Sequence, residues 1–393
     1  MRASVFADLA PRIEARARAG ADLVELHIGD THGPPPEGAR FAAAEAAASD
    51  PAVFDTTLYR YGSTSGLDAL REAFAARLLR LGHGPGSVDP AAQVLVACGA
   101  THAAFCMLRS VLDAGDEVLV AAPYWPLAVG VVRAAGGVPV EVPLTTRLYE
   151  DPSLDAGAIL AAAATPATRA LYLITPNNPD GKVLSRAQLE SIARLAVARD
   201  LWVLSDEVYA DYVYDPAEHA HASIARIEGM AERTLSVYSL SKSHALAGAR
   251  VGFAVASEPV VAVARRIATH SVFHVPVASQ RVALAALSAP DAWLDATRAR
   301  YRHARAAAVE ALRGTGVRTL VPEGGSYLFV DFAPWLQGRP LRELLERAID
   351  RGVLVTPGDG FGDAYATWAR ICFTSAPEPR LLEGLARLRE AML

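Results

Sequence analysis

Between about residue 46 and residue 288, short apolar runs alternate with longer stretches of helical composition. Each run has the length of one buried strand, and this alternation favours an α/β fold in which helices cover both faces of a largely parallel sheet. We therefore predict a large domain over 46–288, built on a mostly parallel seven-stranded sheet. The predicted strands are VLVAC (94–98), EVLVAA (117–122), VPVEV (138–142), ALYLIT (170–175), LWVLS (201–205), TLSVYS (234–239) and VGFAVA (251–256).

The N-terminal region has a different pattern. It contains an amphipathic helix (5–19), a short apolar run (23–28) and the proline-rich string THGPPPEG. A stretch of this kind is too short to form a core of its own and is typical of an arm or a lid. We predict that residues 1–45 form an N-terminal arm that joins a second, smaller domain.

The C-terminal region supplies that smaller domain, which we place at 289–393. A long Arg/Ala helix (294–313) is followed by strands near 326–332 and 369–374, and an amphipathic helix (380–392) closes the chain. Strands and helices that do not alternate regularly favour an α+β architecture.

Composition narrows the classes of function. The chain has 393 residues, of which 52% are hydrophobic, and a net charge of −5, so it can bury a core and lacks the basic excess of a nucleic-acid-binding protein. It contains no apolar run long enough for a membrane span or a signal peptide. Its three cysteines form no CxxC pair, which fits a reducing compartment. We expect a cytoplasmic protein that binds neither nucleic acid nor membrane.

Among 38 basic residues, only Lys182 and Lys242 are lysines. Arginine does not lose its proton to become a nucleophile, so amine chemistry has two candidates. Lys242 follows a strand that ends in hydroxyls, Ser239 and Ser241, and precedes Arg250. This arrangement suits a carbonyl cofactor with a phosphate group, because the amine can form a Schiff base while hydroxyls and guanidinium hold the phosphate. Lys182 follows a turn, and we expect it at the surface.

The segment SLSKSHALAGARVGF (239–253) resembles the cofactor-lysine segment of the class I/II aminotransferases, which depend on pyridoxal phosphate (PLP) and have fold type I. Seven other segments resemble signatures of that family and occur in the family's order, so the resemblance runs from about residue 23 to the C-terminus. They are LHIGD (26–30), YRYGSTSGLDALREAFA (59–75), VACGATHAAF (96–105), DEVLVAAPYWP (116–126), TPNNPDGKVLS (175–185), LSDEVYADYVYD (204–215) and ARICFTS (369–375).

The resemblance implies roles for the residues around the PLP ring. Lys242 would hold PLP as an internal aldimine and then move the substrate proton. Asp206 would be the anion beside the pyridine nitrogen, which keeps the ring able to accept electrons. Tyr209 and Asn178 would hydrogen-bond the ring hydroxyl oxygen, and Trp125 would stack on the ring. Taken alone, a strand-end Asp is more often a helix cap and a Trp more often part of the core.

The resemblance also implies how phosphate and substrate are held. Gly99, Ala100 and Thr101 lie between a strand and a helix, where exposed N–H groups bind phosphate. Together with Ser239, Ser241 and Arg250 they would hold the PLP phosphate. Arg370 would bind the substrate α-carboxylate through two parallel hydrogen bonds, although taken alone it is more often part of a surface ion pair. Gly29 lies in the arm that closes over substrate, and Tyr61 would reach the phosphate of a neighbouring subunit, which predicts a homodimer.

The implied function is a ping-pong transfer of an amino group between an L-amino acid and a 2-oxo acid. A PLP-dependent lyase or synthase of the same fold is the alternative, because such enzymes have the same cofactor residues. A non-catalytic PLP-binding regulator would carry a DNA-binding module, which this chain does not show. No metal motif is present, and we expect His219 and His221 to face solvent. Thr31, His32, His270 and His274 are candidates for substrate contacts.

Overall fold

The computed structural model describes residues 5–49, 56–84 and 86–393, so the first four residues of the predicted arm lie outside it. Within those ranges, no helix is both long and apolar enough to cross a membrane. In chain order the strands are β1 (Val24–Glu25), β2 (Val94–Ala97), β3 (Glu117–Ala122), β4 (Val138–Pro143), β5 (Thr168–Ile174), β6 (Trp202–Asp206), β7 (Thr234–Ser239), β8 (Gly252–Val255), β9 (Arg318–Leu320), β10 (Tyr327–Asp331), β11 (Val353–Leu354), β12 (Thr356–Pro357) and β13 (Trp368–Cys372).

The α-helices lie between these strands and at both ends of the chain. Short 3-10 helices occupy 56–59, 224–226, 247–249, 358–361 and 363–365. The α-helices are α1 (Val5–Arg18), α2 (Phe41–Ala48), α3 (Asp68–Arg80), α4 (Gly99–Val111), α5 (Ala128–Ala134), α6 (Thr145–Glu150), α7 (Ala156–Ala163), α8 (Arg186–Ala198), α9 (Leu240–Ser243), α10 (Glu258–Ser271), α11 (Val277–Leu287), α12 (Asp291–Ala311), α13 (Ala333–Leu336), α14 (Leu341–Asp350) and α15 (Glu378–Met392).

The large sheet has seven strands in the order β2-β8-β7-β6-β5-β3-β4. Each predicted apolar run forms one of them. Strand β8 runs antiparallel to both of its neighbours, and the other pairs are parallel. The prediction of a mostly parallel seven-stranded sheet is therefore confirmed.

Helices cover both faces of this sheet, which explains why its strands are almost continuously apolar. On β3, Val118 and Val120 pack in one cluster with Leu108 of α4, whereas Leu119 packs in another with Ile192 of α8. Successive side chains of a strand point to opposite faces, so both faces of β3 are buried. Full burial of one such aliphatic side chain contributes roughly 1.5–3 kcal/mol.

A second, antiparallel sheet is formed by the C-terminal part of the chain, in the order β12-β13-β10-β9. The N-terminal arm packs beside it: β1 pairs in parallel with β11, and Arg12 of α1 donates to the Asp350 carboxylate of α14 at 3.0 Å. Leu26 of the arm shares a core cluster with Leu328 and Leu385. The short strands β9, β11 and β12 were not predicted from the sequence.

Candidate functional site

A cavity of about 270 Å³ opens where the carboxyl ends of β5, β6 and β7 meet. In open α/β sheets this edge is where ligands bind. Gly29 of the arm and two side chains of the C-terminal sheet, Tyr327 and Arg370, close its other side. Twelve of the fourteen predicted site residues line it: Gly29, Ala100, Thr101, Trp125, Asn178, Asp206, Tyr209, Ser239, Ser241, Lys242, Arg250 and Arg370.

One end of the cavity is a cradle of backbone and cationic groups. Gly99 begins α4 with φ +77°, and the Arg250 guanidinium occupies the space that a Cβ at Gly99 would need. Gly252 of β8 lies so close to the same turn that a Cβ there would be 2.6 Å from the Ala100 nitrogen. The N–H groups of Ala100 and Thr101, in the first helical turn, have no acceptor within the helix. This end fits a phosphate group.

Two hydroxyls complete the cradle. Ser239 ends β7 and its Oγ lies 2.8 Å from Ser241 Oγ, while the Ser241 N–H donates to Ser239 Oγ at 3.0 Å. These bonds fix both hydroxyls beside Arg250, where hydroxyl and guanidinium donors can converge on an anion.

Asp206 is a buried carboxylate at the end of β6. The Val208 N–H donates to its Oδ1 at 3.3 Å, and no basic side chain within the described ranges lies within ion-pair distance. Burial, with a further contribution from Glu207, raises the pKa of Asp206 to about 7. A buried carboxylate that faces a cavity and lacks a counter-cation fits a cationic ring nitrogen of the expected cofactor.

Lys242 lies on α9, directly after β7, and its side chain is part-buried at the cavity. The Lys242 Nζ donates to the carbonyl oxygen of Gly29. The Tyr212 hydroxyl donates to the backbone carbonyl oxygen of Lys242 at 2.8 Å. Within the described part of the chain, no carboxylate forms an ion pair with this amine. The lysine is therefore held at the site without an acidic partner.

The opposite wall carries hydrogen-bonding side chains from three parts of the chain. The hydroxyls of Tyr209 and Tyr327 lie 2.8 Å apart, and both side chains are buried. Asn178 is also buried, and its Oδ1 accepts from Arg370 Nη1 at 3.2 Å. Trp125 contributes a partly buried aromatic ring to the same cavity.

Arg370 is buried in β13 with an incomplete set of acceptors. Its Nη2 donates to the carbonyl oxygen of His27 at 2.8 Å, and its guanidinium lies 4.3 Å from the centre of the Tyr327 ring. Its Nε is buried without a partner, and no carboxylate in the described ranges pairs with it. A buried guanidinium that is bound only by neutral groups can still bind a carboxylate.

Two predicted site residues do not line the cavity. Gly99 lies just behind it, under Arg250. Tyr61 is 86% exposed and contacts Phe273 and His274 edge to face, at ring distances of 5.3 and 5.7 Å. Its role toward a neighbouring subunit stays a prediction.

Four further candidates also lie away from the cavity lining. His270 is exposed on α10, which ends at residue 271, so His274 lies beyond that helix. The His32 N–H donates to a carbonyl oxygen of the C-terminal domain, and Thr31 is half-buried beside it. None of the four lines the cavity, and their contact with substrate stays a prediction.

Two expectations about exposure were wrong. Lys182 is buried, with its Nζ 2.6 Å from a carboxylate oxygen of Glu323. The His221 side chain is 6% exposed, and its Nε2 lies 3.1 Å from Glu207 Oε2. Both partners become neighbours only through the fold, so local sequence gives no sign of them. His219 is partly exposed, as predicted.

Sequence reasoning missed four residues of the cavity lining, namely Ile174, Val208, Ala247 and Tyr327. Tyr327 is the most informative of them, because its hydroxyl touches Tyr209 and occupies the space that a Cβ at Gly29 would need. The one local signal is a tyrosine at the start of a buried strand after two glycines; its partners are over 100 residues away in sequence.

Comparisons with known proteins agree with this geometry. The family model "Aminotransferase class I and II" matches residues 21–388. The arginine–pyruvate transaminase of Pseudomonas aeruginosa is 36% identical over 97% of this chain and 93% of its own. The aspartate/prephenate aminotransferase of Thermus thermophilus is 33% identical over 94% and 92%. A solved mutant of the T. thermophilus aspartate aminotransferase superposes with a TM-score of 0.88 at 31% identity, covering 100% of this chain and 97% of that one.

These relatives are named as aminotransferases, which favours amino-group transfer over the lyase or synthase alternative. The cradle, the lone carboxylate and the lysine of the cavity fit the cofactor of that family. This chain belongs to the class I and II aminotransferases and is a pyridoxal-phosphate-dependent aminotransferase of fold type I.

Proposed function

We propose that this chain moves an amino group between an L-amino acid and a 2-oxo acid in two half-reactions, with Lys242 as the residue that carries PLP and moves the proton. When bound, PLP supplies a carbonyl that takes up the amino group and a ring that accepts the electron pair released at the substrate Cα. The observation that carries the proposal is the convergence of a lysine amine, a lone buried carboxylate and a partly satisfied arginine on one cavity.

Lys242 serves first as the attachment point and then as the general base. With PLP bound, the Lys242 amine would hold the cofactor until a substrate amine takes its place. The freed amine would then accept the proton at the substrate Cα and later give it up again, which is the role of a general base and acid. The absence of an acidic partner in the described ranges supports this role, because an ion pair would hold the ammonium in place.

The cradle holds the cofactor by its phosphate. We assign this function to the N–H groups of Ala100 and Thr101 and to the side chains of Ser239, Ser241 and Arg250. Gly99 permits the close approach of Arg250 to the turn. Charge-assisted bonds of this kind are roughly twice as strong as neutral ones.

The ring would be held from its edges and its face. Asp206 would favour the protonated form of the ring nitrogen, and that positive charge would in turn favour the ionised carboxylate. Tyr209 and Asn178 would hydrogen-bond the ring hydroxyl oxygen, and Trp125 would stack on the ring. Arg370 orients the substrate by its α-carboxylate, while Gly29 lies in the arm beside the Lys242 amine.

We infer that the active unit is a cytoplasmic homodimer in which Tyr61 reaches the neighbouring site. Tyr61 lies in an exposed group with Phe273, which is 44% exposed, and a second copy of the chain would cover this surface. The buried thiols of Cys106 and Cys372 support a reducing compartment. A mixture of Lys242→Ala and Tyr61→Ala proteins tests the arrangement, because a hybrid dimer regains one complete site only if Tyr61 acts across subunits.

The test of the function is a substrate panel on the holoenzyme, followed by the visible absorption of the bound cofactor. The relatives' names suggest arginine, aspartate and aromatic amino acids as donors and pyruvate as an acceptor. Each donor is paired with the amine that lacks its α-carboxylate. We expect at least one L-amino acid to convert the band and yield its 2-oxo acid, pyruvate or another 2-oxo acid to restore it, and the paired amine to react at least about 100-fold more slowly. Release of ammonia without restoration of the band would contradict the proposal.

A further inference from the structure

Behind the cavity floor, Glu207 forms a polar cluster with four hydrogen-bond donors. Glu207 follows Asp206 directly, and because successive strand side chains point to opposite faces, it points away from the cavity that Asp206 lines. Its side chain has no exposed surface. Oε1 accepts from Ser205 Oγ at 2.9 Å and Ser223 Oγ at 2.7 Å, and Oε2 accepts from the Tyr238 hydroxyl at 3.0 Å and lies 3.1 Å from His221 Nε2.

This cluster compensates for the burial of a charge. Burial alone raises the pKa of Glu207, but the hydrogen bonds from His221 and Ser223 outweigh it and leave the pKa lowered. Glu207 is therefore ionised in the folded protein, and it binds all four donors as an acceptor. A carboxylate of this kind holds its donors more firmly than a neutral group would.

The donors lie next to the residues that hold the cofactor. Ser205 precedes Asp206 on β6, and Tyr238 precedes Ser239 on β7. The Glu207 N–H also donates to the carbonyl oxygen of Val237 at 2.9 Å. The cluster thus cross-links the ends of the two strands that carry the proposed anchors of the ring nitrogen and the phosphate.

We propose that Glu207 is a positioning residue that fixes the spacing between Asp206 and Ser239, and with it the fit of PLP to both anchors. The inference rests on the proposed function of those two residues. A shift of about 1 Å between anchors that grip one rigid molecule is enough to weaken binding and slow the reaction. The polar cluster around Glu207 extends beyond the strands, because His221 and Ser223 come from the loop before the 3-10 helix at 224–226.

The experiment compares Glu207→Gln and Tyr238→Phe with Glu218→Gln as a matched control. The Glu218 side chain is 78% exposed and does not line the cavity. Tyr238→Phe removes one donor and keeps the ring that packs 5.3 Å from Phe74. Each protein is stripped of cofactor and titrated with PLP to give its dissociation constant, and the pH dependence of the bound cofactor's absorption, kcat and KM are measured.

We expect Glu207→Gln and Tyr238→Phe to bind PLP at least about tenfold more weakly and to lose at least about tenfold in kcat, with KM within about twofold and a shifted pH profile of the absorption. Glu218→Gln should match the wild type. The inference is overturned if the two variants keep wild-type PLP affinity, spectrum and kcat, including the case in which only Tm falls.

Two further points keep the test decisive. If Glu207→Gln does not fold, Tyr238→Phe and Ser223→Ala, each of which removes a single donor, provide the answer in its place. Failure of the proposed function would be seen separately, because the wild-type protein itself would then show no PLP absorption that depends on Lys242.

Discussion

The two lysines of this chain lie in contrasting surroundings. Lys182 is buried against Glu323, with 2.6 Å between amine and carboxylate, and its Nζ lies 4.9 Å from the centre of the Tyr149 ring. Lys242 is part-buried at the cavity, and its amine contacts the carbonyl oxygen of Gly29. An amine that must bond to a carbonyl and then move a proton cannot be locked to an acid, whereas a structural lysine gains stability from one.

The same contrast separates the buried carboxylates. Glu323 accepts from Lys182 and, at 2.8 Å, from the Val183 N–H. Asp206, on the cavity, accepts from the Val208 N–H at 3.3 Å, has no cation beside it among the described residues and has a raised pKa. The buried pair Lys182–Glu323 is therefore complete within the protein, whereas Asp206, which lines the cavity, has no cation of its own in the described part of the chain. This difference indicates that a ligand supplies what the cavity lacks.

The largest expected effect concerns the buried ion pair between Lys182 and Glu323. Lys182→Met leaves the buried Glu323 carboxylate without its cation, and we expect the free energy of unfolding in urea to fall by about 3–5 kcal/mol. The double variant Lys182→Met, Glu323→Gln should recover most of the loss because it removes both charges. Arg186→Met, which breaks the exposed pair with Glu190, should cost less than about 1 kcal/mol. Equal effects of Lys182→Met and Arg186→Met would show that the buried pair is not structural.

The next effect concerns Asp206, the buried carboxylate that has no cation beside it within the described ranges. Asp206→Asn keeps the shape of the side chain but removes the negative charge beside the ring nitrogen, and we expect kcat to fall by about 10²–10³. The readout is kcat at saturating PLP, so that weak cofactor binding does not obscure it. Glu218→Gln is the control. Near-normal turnover of Asp206→Asn would exclude Asp206 as the electrostatic anchor.

The raised pKa of Asp206 also predicts the pH dependence of the cofactor-free protein. Because the folded pKa, about 7, lies above the ordinary value of 3.8, the folded state retains a proton that the unfolded chain loses. The stability that depends on this proton is present at low pH and is lost as pH rises through 7. Between pH 5 and pH 8 the unfolding free energy of the cofactor-free protein should fall by roughly 2–3 kcal/mol relative to Asp206→Asn. Parallel curves for the two proteins would contradict this.

The smallest effect concerns Arg370. Lysine keeps the charge but cannot form two parallel bonds to a carboxylate, so Arg370→Lys should lower kcat/KM for L-amino acids by about tenfold to thirtyfold. For amines that lack the α-carboxylate, the same change should alter the rate by less than about twofold. An equal loss for both substrates would indicate that Arg370 acts on folding or on the cofactor.

Much of the fold could be predicted because it depends on local patterns. Strand β3, for example, is apolar from Val118 to Ala122 because helices cover both faces of the sheet, and that pattern is visible in consecutive residues. The cofactor residues were identified by resemblance, and Lys242 also by the scarcity of lysine. The pairs Lys182–Glu323 and His221–Glu207 could not be predicted, because they join residues that only the tertiary structure brings together. Tyr327 was missed for the same reason.

The central claim is that Lys242 carries the cofactor while Lys182 does not. The chain offers only these two lysines and its terminal amine as primary amines. Reduction of the holoenzyme with borohydride turns the C=N bond between cofactor and amine into a stable C–N bond, and peptide mass spectrometry after trypsin then locates it. We expect one modified peptide, residues 234–250, with the group on Lys242. Modification at Lys182 or the terminal amine, or no modification at all, would contradict it.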